Sequence, residues 1–340
     1  MAPATRFLVT GAQGFLGRHL VHAILTRDST AMVVGIGRSS FADDFFTHLI
    51  SLAGRSFRAP VPAYLRIASD RYQYRTLDLV DGAATQEFVQ QVQPDVVIHT
   101  ASGLRGDPID RLLRNGVESV VRLMEALGSL SRRPRFLLCS SGGVYGSVPE
   151  DRLPITEDAP TCPVELYGVS KLAAEHACRV LAQQHEIPAI YARLFNLVGP
   201  GQDERHVCGR FVAHAVAIAA GLEACEMFTA NLGSTRDFID VRDCARAVLL
   251  LANRGLPGEI YNVASGEETM IASVLDIVLK QAGLKEKVRI ITRAGEPGIK
   301  RHYGSIDRLT RLGFRTEQTL QESLRDLRDY YRERLTCRAG

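Results

Sequence analysis

The chain has no apolar run long enough to cross a bilayer, and its best stretch, Phe211 to Leu222, is short and interrupted by His214. Nor does its start carry a basic region followed by a long apolar segment, so neither a secretory leader nor a membrane anchor is expected. The seven cysteines (139, 162, 178, 208, 225, 244 and 337) show no C-x-x-C and no histidine spacing to match. No metal site and no disulfide framework is therefore indicated, and buried free thiols in a reducing cytoplasm are the expectation. An excess of one charge is also missing: a net charge of +3 over 340 residues gives no argument for nucleic acid. Lysine is scarce, at five of 41 basic residues, and four of the five lie between 280 and 300, which leaves Lys171 isolated. Repeats and low-complexity tracts are absent.

What is present begins with enough apolar residues, 46%, to bury a sizeable core in one large or two intertwined domains. The most informative stretch is Tyr167-Gly-Val-Ser-Lys171, which continues helically to His176. Four residues is about one turn, so phenol and ammonium share a face and the lysine charge can favour the phenolate. Such a tyrosine can pass a proton to or from a sugar or alcohol oxygen.

Arg6 to Thr10 reads as a short buried strand, followed by Gly11-Ala-Gln-Gly14-Phe15-Leu16-Gly17 and a helical pattern through Leu20, Val21, Ile24 and Leu25. Strand, glycine turn and helix in this order allow a tight turn, close backbone approach to a pyrophosphate and an anion at the helix N-terminus. The next strand, from Met32, ends at Gly37-Arg38-Ser39 with no acid between Met32 and Ala42. An NAD-preferring site usually offers a carboxylate there, whereas Arg38 supplies a cation for a 2′-phosphate, so NADP(H) is expected over NAD(H).

The glycine spacing GxxGxxG, Ser141 and Tyr167-x-x-x-Lys171 together resemble the extended short-chain dehydrogenase/reductase family, over residues from about 6 to about 332. The resemblance implies a Rossmann-like doubly wound parallel sheet with a smaller C-terminal α/β substrate domain. Residues 1–195 would mainly bind NADP(H) and 196–335 mainly a nucleotide-diphosphate sugar, with about 235–265 returning to the first part.

Asp78 and Leu79 would then border the adenine, and Thr100-Ala101-Ser102 would pass close to the cofactor, with Ser102 replacing the family's second alanine. His99 reads as a satisfied strand-end histidine. Counting back from Val144-Tyr145-Gly146 puts the substrate-polarising hydroxyl at Ser141, with Tyr167 as proton carrier and Lys171 holding the nicotinamide ribose. Family dehydratases carry an acid after that hydroxyl, but here Gly142 and Gly143 follow. Dehydration is disfavoured, which leaves 4-ketone reduction or 4-epimerisation. A non-enzymatic cofactor sensor would have no need of the acid-base set.

Asn196 and Arg236 resemble the family's diphosphate ligands, with turn capping and pairing to Asp237 or Asp240 as their structural alternatives. Arg301, in a basic closing loop, is a further candidate. The motifs look most like the subgroup containing GDP-4-keto-6-deoxy-mannose reductases. Family helices equivalent to Asp110 to Leu127 and Leu166 to Gln184 pair into a four-helix bundle, so a homodimer is expected by resemblance. Residues 41–70 form a longer connection with a helical Phe45-Phe46-Leu49-Ile50 face and a proline-bearing loop at Pro60 and Pro62, read as a surface insertion rather than a cover for the adenine end of the cofactor, and Leu320 to Tyr331 reads as an amphipathic helix packed on the body.

Overall fold

The computed structural model describes residues 4–39, 47–66, 69–292 and 298–336. The chain runs through β1 (Arg6–Thr10), α1 (Phe15–Arg27), β2 (Met32–Gly37), β3 (Thr47–Leu52), β4 (Arg55–Pro60), β5 (Tyr72–Thr76), α2 (Gly82–Val92) and β6 (Val96–His99). Next come α3 (Ile109–Leu113), α4 (Ser119–Gly128), β7 (Arg135–Ser141), α5 (Leu166–Gln184), β8 (Ala189–Leu194), β9 (Asn196–Val198) and α6 (Val207–Ala219). Then follow β10 (Glu226–Thr229), β11 (Thr235–Arg236), β12 (Phe238–Asp240), α7 (Val241–Arg254), β13 (Ile260–Val263) and β14 (Thr269–Met270). The chain closes with α8 (Ile271–Gln281), β15 (Arg289–Thr292), β16 (Arg301–His302), α9 (Asp307–Arg311) and α10 (Leu320–Thr336).

Seven strands form one sheet in the order β13-β8-β7-β6-β1-β2-β5, every pair parallel. Parallel strands need helical crossovers, which cover both faces and explain why β6, β7 and β8 are nearly continuous apolar runs. Alternate side chains go to opposite cores. Phe7, Val9, Ile98, Leu137 and Ile190 pack with α1 and α7, while Leu8, Val97, Phe136, Leu138 and Ala189 pack with α2, α4 and α5. Strand order reverses between β1 and β6, and the crevice beyond their carboxyl ends is where doubly wound sheets bind ligands.

A separate core lies among α6, α8 and α10. Leu324, Leu327 and Tyr331 are fully buried in it, so the last helix docks as its spacing implies. The connection after β2 departs from expectation. Phe45 and Phe46 fall outside the described residues, but Leu49 and Ile50 lie on a strand of the β3–β4 antiparallel hairpin and share no helical face. Ile50 and Leu52, both 1% exposed, join this second core, so the segment is a packed element, each side chain contributing about 1.5–3 kcal/mol by burial. The strands can pair as a hairpin because Ala53-Gly54 supplies the positive φ angles, 50° and 66°, that the turn needs.

The helix expected over Asp110 to Leu127 is also interrupted. Between α3 and α4, Arg114–Glu118 widens into a π turn, which buries Asn115 and Gly116. No helix among the described residues is long and apolar enough to cross a membrane. Four cysteines (139, 178, 208 and 244) are buried free thiols, but Cys162 and Cys225 are exposed, contrary to expectation, because they sit in loops; Cys337 lies outside the described residues.

Candidate active site

β1 must turn into α1 within four residues, and glycine makes this possible. Gly11 has φ +66°, and a Cβ on Gly17 would lie 2.1 Å from the Gly11 carbonyl oxygen. Gly14 N–H donates to that carbonyl at 2.8 Å, tightening the loop, and leaves the first amides of α1, at Phe15, Leu16 and Gly17, without helical partners. Across the crevice, Thr100 Oγ1 donates to Thr10 O at 2.6 Å and Ala101 N–H to Thr10 Oγ1 at 3.2 Å. The side-chain amide of Gln13, Ser102 Oγ and Asn115 Nδ2 are buried without partners among the described residues. Free helix amides, a cradle that a Cβ would fill and orphaned polar atoms fit a bound dinucleotide.

At the far end of this crevice, Gly37 is backed by Tyr74, whose hydroxyl oxygen would lie 2.7 Å from a Cβ at that position. The same hydroxyl donates to Ser39 O at 2.8 Å. An acidic side chain at 37 therefore meets an occupied space. Arg38 reaches across to donate to Asn115 Oδ1 at 3.0 Å. Asp78 lies 3.5 Å from Arg114, and Leu79 is buried in the core that the sheet shares with α2, α4 and α5.

Ser141 ends β7 and caps the following turn, accepting from Gly143 N–H at 3.1 Å. Helix α5 begins against that turn: a Cβ on Gly168 would lie 2.6 Å from Gly143 O. Tyr167 and Lys171, on one face of α5, thus meet the strand end that carries Ser141. Lys171 is buried, donates to Cys139 O at 3.0 Å, and holds its charge 5.8 Å from the centre of the Tyr167 ring. His99 is half satisfied: Nδ1 bonds Thr10 Oγ1 at 2.9 Å, while Nε2 is buried without a partner beside a small pocket lined by Ser102, Gly116 and Lys171. Burial, aided by the Lys171 charge, pushes His99 down to about 3, so the ring is neutral and a weak base.

On the opposite side of the crevice, Asn196 Nδ2 donates to Asp237 O at 2.9 Å, joining β9 to β12. The pairings considered for Arg236 do not form. The Asp237 carboxylate accepts from Ser265 and Gly266, and Asp240 pairs with Arg242 and Ser323. Among the described residues no carboxylate bridges to Arg236, whose guanidinium is pushed down by burial and then by the Arg105 charge. Arg301, by contrast, is neutralised by Glu268 through two 2.7 Å bonds.

Two contributors escaped the sequence reading. His302 bonds the Gly142 carbonyl through Nε2 at 3.1 Å, and with Phe195 it walls Gly142: a Cβ there would lie 3.1 Å from Phe195 and 3.2 Å from His302. Burial, then Arg236, pushes His302 down to about 4, so Nε2–H is the donor at neutral pH. Arg105, in the loop after β6, places its guanidinium carbon 5.9 Å from the Tyr167 ring centre. His302 pairs with its strand neighbour only through tertiary register, Arg236↔His302, which no local pattern announces. Arg105 had one available signal, its position six residues beyond His99 in the cofactor-side loop.

Comparison with known proteins identifies the family. The family model described as "NAD dependent epimerase/dehydratase family" matches residues 7–264. GDP-6-deoxy-D-mannose reductase of Pseudomonas aeruginosa is 31% identical, covering 94% of this chain and 95% of that protein. The dTDP-6-deoxy-L-talose 4-dehydrogenase (NAD(P)(+)) of Kitasatospora kifunensis is 25% identical over 96% of this chain and 95% of its own. Among solved structures, RMD from Pseudomonas aeruginosa complexed with NADPH superposes with a TM-score of 0.79 at 28% identity, covering 97% of this chain and 100% of that one. With its parallel sheet, glycine turn and family match over most of its length, the chain belongs to the NAD dependent epimerase/dehydratase family, the extended short-chain dehydrogenase/reductases.

Proposed function

We propose that this protein reduces a 4-keto nucleotide sugar of the 6-deoxyhexose class, using NADP(H). The observation that carries the reading is the Ser141-Gly142-Gly143 turn: it offers a hydroxyl beside the Tyr167 helix and no carboxylate, and Phe195 and His302 occupy the space beside Gly142 where an acid would enter. Dehydration needs that acid, whereas carbonyl reduction does not. The NADPH complex of the solved relative and the reductase named among the curated relatives support the same choice.

Bound nicotinamide would supply the hydride. Ser141 would hydrogen-bond the sugar C4 oxygen, and Tyr167 would give that oxygen its proton. Lys171, fixed by Cys139 O, holds a positive charge beside the ring as negative charge develops there. Gly11, Gly14, Phe15, Leu16 and Gly17 would receive the pyrophosphate through backbone amides, with Thr100, Ala101 and Ser102 on the facing loop, Asp78 and Leu79 towards the adenine, and Arg38 with Ser39 at the 2′-phosphate. Asn196 and Arg236 would hold the sugar-nucleotide diphosphate.

A nucleotide-sugar 4-epimerase uses the same acid-base set and is the second reading. Arg38 with no acid at 37 supports NADP(H), and the solved relative RMD is complexed with NADPH. Residues 1–195 and 196–335 serve as cofactor and sugar-nucleotide halves in this reading. The exposed apolar side chains Ile109 and Leu113 on α3 and Leu166, Val169 and Val180 on α5 support pairing of two copies through a four-helix bundle.

Tyr167→Phe tests the assignment. Turnover should fall by roughly 10²- to 10⁴-fold while NADPH affinity holds within about twofold. Undiminished turnover would remove Tyr167 from the chemistry.

A further inference from the structure

The mouth of the site gathers positive charge from both halves of the molecule. Arg105 comes from the loop after β6 and Arg236 from β11, beside the neutral His302 of its partner strand β16. The Arg105 charge acts on Arg236, on His302 and on His206, in each case lowering the affinity for a proton, while the Glu165 carboxylate acts on Arg236 in the opposite sense and so faces both arginines. Convergence of like charges is unfavourable unless an anion joins them. The only carboxylate that contacts Arg105 among the described residues is Glu165, at 2.9 Å from Nε, with the two side chains 61% and 50% exposed. An ion pair so open to water is worth about 0–1 kcal/mol and is readily exchanged.

The backbone beneath Arg105 is fixed while the side chain is not. Leu104 N–H donates to Asp107 Oδ2 at 2.8 Å, Asp107 N–H donates to Leu104 O at 3.0 Å, and Gly106 takes φ +91° to close the turn. The guanidinium can therefore leave Glu165 without moving the loop. Arg301 lacks this freedom, being held bidentately by Glu268 with Glu150 3.7 Å away.

Resting on the nucleotide-sugar reading above, we propose that Arg105 is a detachable second cation for the substrate diphosphate: Glu165 holds it in the free enzyme, and it pairs with Arg236 around the phosphates when substrate enters. A guanidinium matches phosphate oxygens in bidentate geometry, so a doubly charged diphosphate displaces one exposed carboxylate.

The test is calorimetric titration of GDP, UDP and dTDP into the full chain saturated with NADPH, comparing wild type with Arg105→Ala, Arg105→Lys and Glu165→Gln. Wild type is expected to bind at least one of the three. Arg105→Ala should weaken that binding by roughly 10-fold or more, the scale of one charged hydrogen-bonded contact. Arg105→Lys should retain part of it. Glu165→Gln should tighten it a few-fold, because the competing carboxylate is gone, and NADPH affinity, measured separately, should be unchanged in all variants. If Arg105→Ala binds within twofold of wild type, or Glu165→Gln weakens binding as Arg105→Ala does, the detachable cation is overturned while the nucleotide-sugar reading stands. If wild type binds none of the three, that reading fails and this inference with it.

Discussion

Arg193 and Glu175 form a bidentate ion pair, Nε to Oε1 at 3.1 Å and Nη2 to Oε2 at 2.8 Å, with both side chains almost completely buried beneath the strand end that carries Ser141. Glu175 lies one turn beyond Lys171 on α5 and also accepts from Ser140, the neighbour of Ser141. Arg193 stacks 4.7 Å from the Tyr145 ring centre, and Tyr145 donates to Asn262 at 2.7 Å. The network ties α5 to β7, β8 and β13, which fixes the register between Tyr167 and Ser141.

Removing one member leaves the other charge buried without compensation. Glu175→Ala should lower stability by about 3–5 kcal/mol, read as a shift in the urea unfolding midpoint. A loss below about 1 kcal/mol would mean that water reaches the pair and that it does not organise the site.

Arg38→Ala should raise the KM for NADPH by roughly 10- to 100-fold and leave that for NADH nearly unchanged, since only the 2′-phosphate contact is lost. Initial-rate kinetics with both cofactors read the ratio. Equal effects on the two cofactors would place Arg38 elsewhere, consistent with a structural bond to Asn115 alone.

Acid should weaken the fold through its buried histidines. Burial pushes His19 and His302 down to about 4 and His99 to about 3, against 6.5 in the unfolded chain. Between those values the unfolded state binds protons that the folded state refuses, so stability present above pH 6.5 is lost as pH falls. At pH 5 each histidine costs roughly 2 kcal/mol relative to pH 8, partly offset by Asp237, which burial raises to about 6 and which gains on protonation. Urea unfolding at pH 8 and pH 5 should show a net loss, smaller in His302→Gln than in wild type. A pH-independent midpoint would contradict neutral burial of these rings.

The parts of this architecture that were legible in the sequence depend on short-range constraint. Tyr167 and Lys171 share a face because of helical pitch, and Gly11, Gly14 and Gly17 mark a turn whose geometry admits little else. Leu49 and Ile50, expected on a helical face, lie on β3 because the apolar side chains of this strand serve a core built largely from α6, α8 and α10, more than 140 residues later for the nearest of these helices. The π turn over Arg114–Glu118 leaves no periodic trace, since one extra residue in a turn shifts the apolar pattern only locally. His302 acts on Gly142 across 160 residues, a relation that exists only in the folded chain.

Ketone reduction consumes one NADPH for each sugar, whereas epimerisation returns the hydride it removes. The most direct test is therefore to follow NADPH absorbance with purified protein, GDP-4-keto-6-deoxy-mannose and dTDP-4-keto-6-deoxy-glucose, quantifying the sugar formed. One NADPH oxidised per reduced sugar, with either substrate, is the predicted result. No oxidation with either, together with interconversion of unreduced UDP- or GDP-hexoses at constant NADPH, would contradict the reductase reading and identify an epimerase.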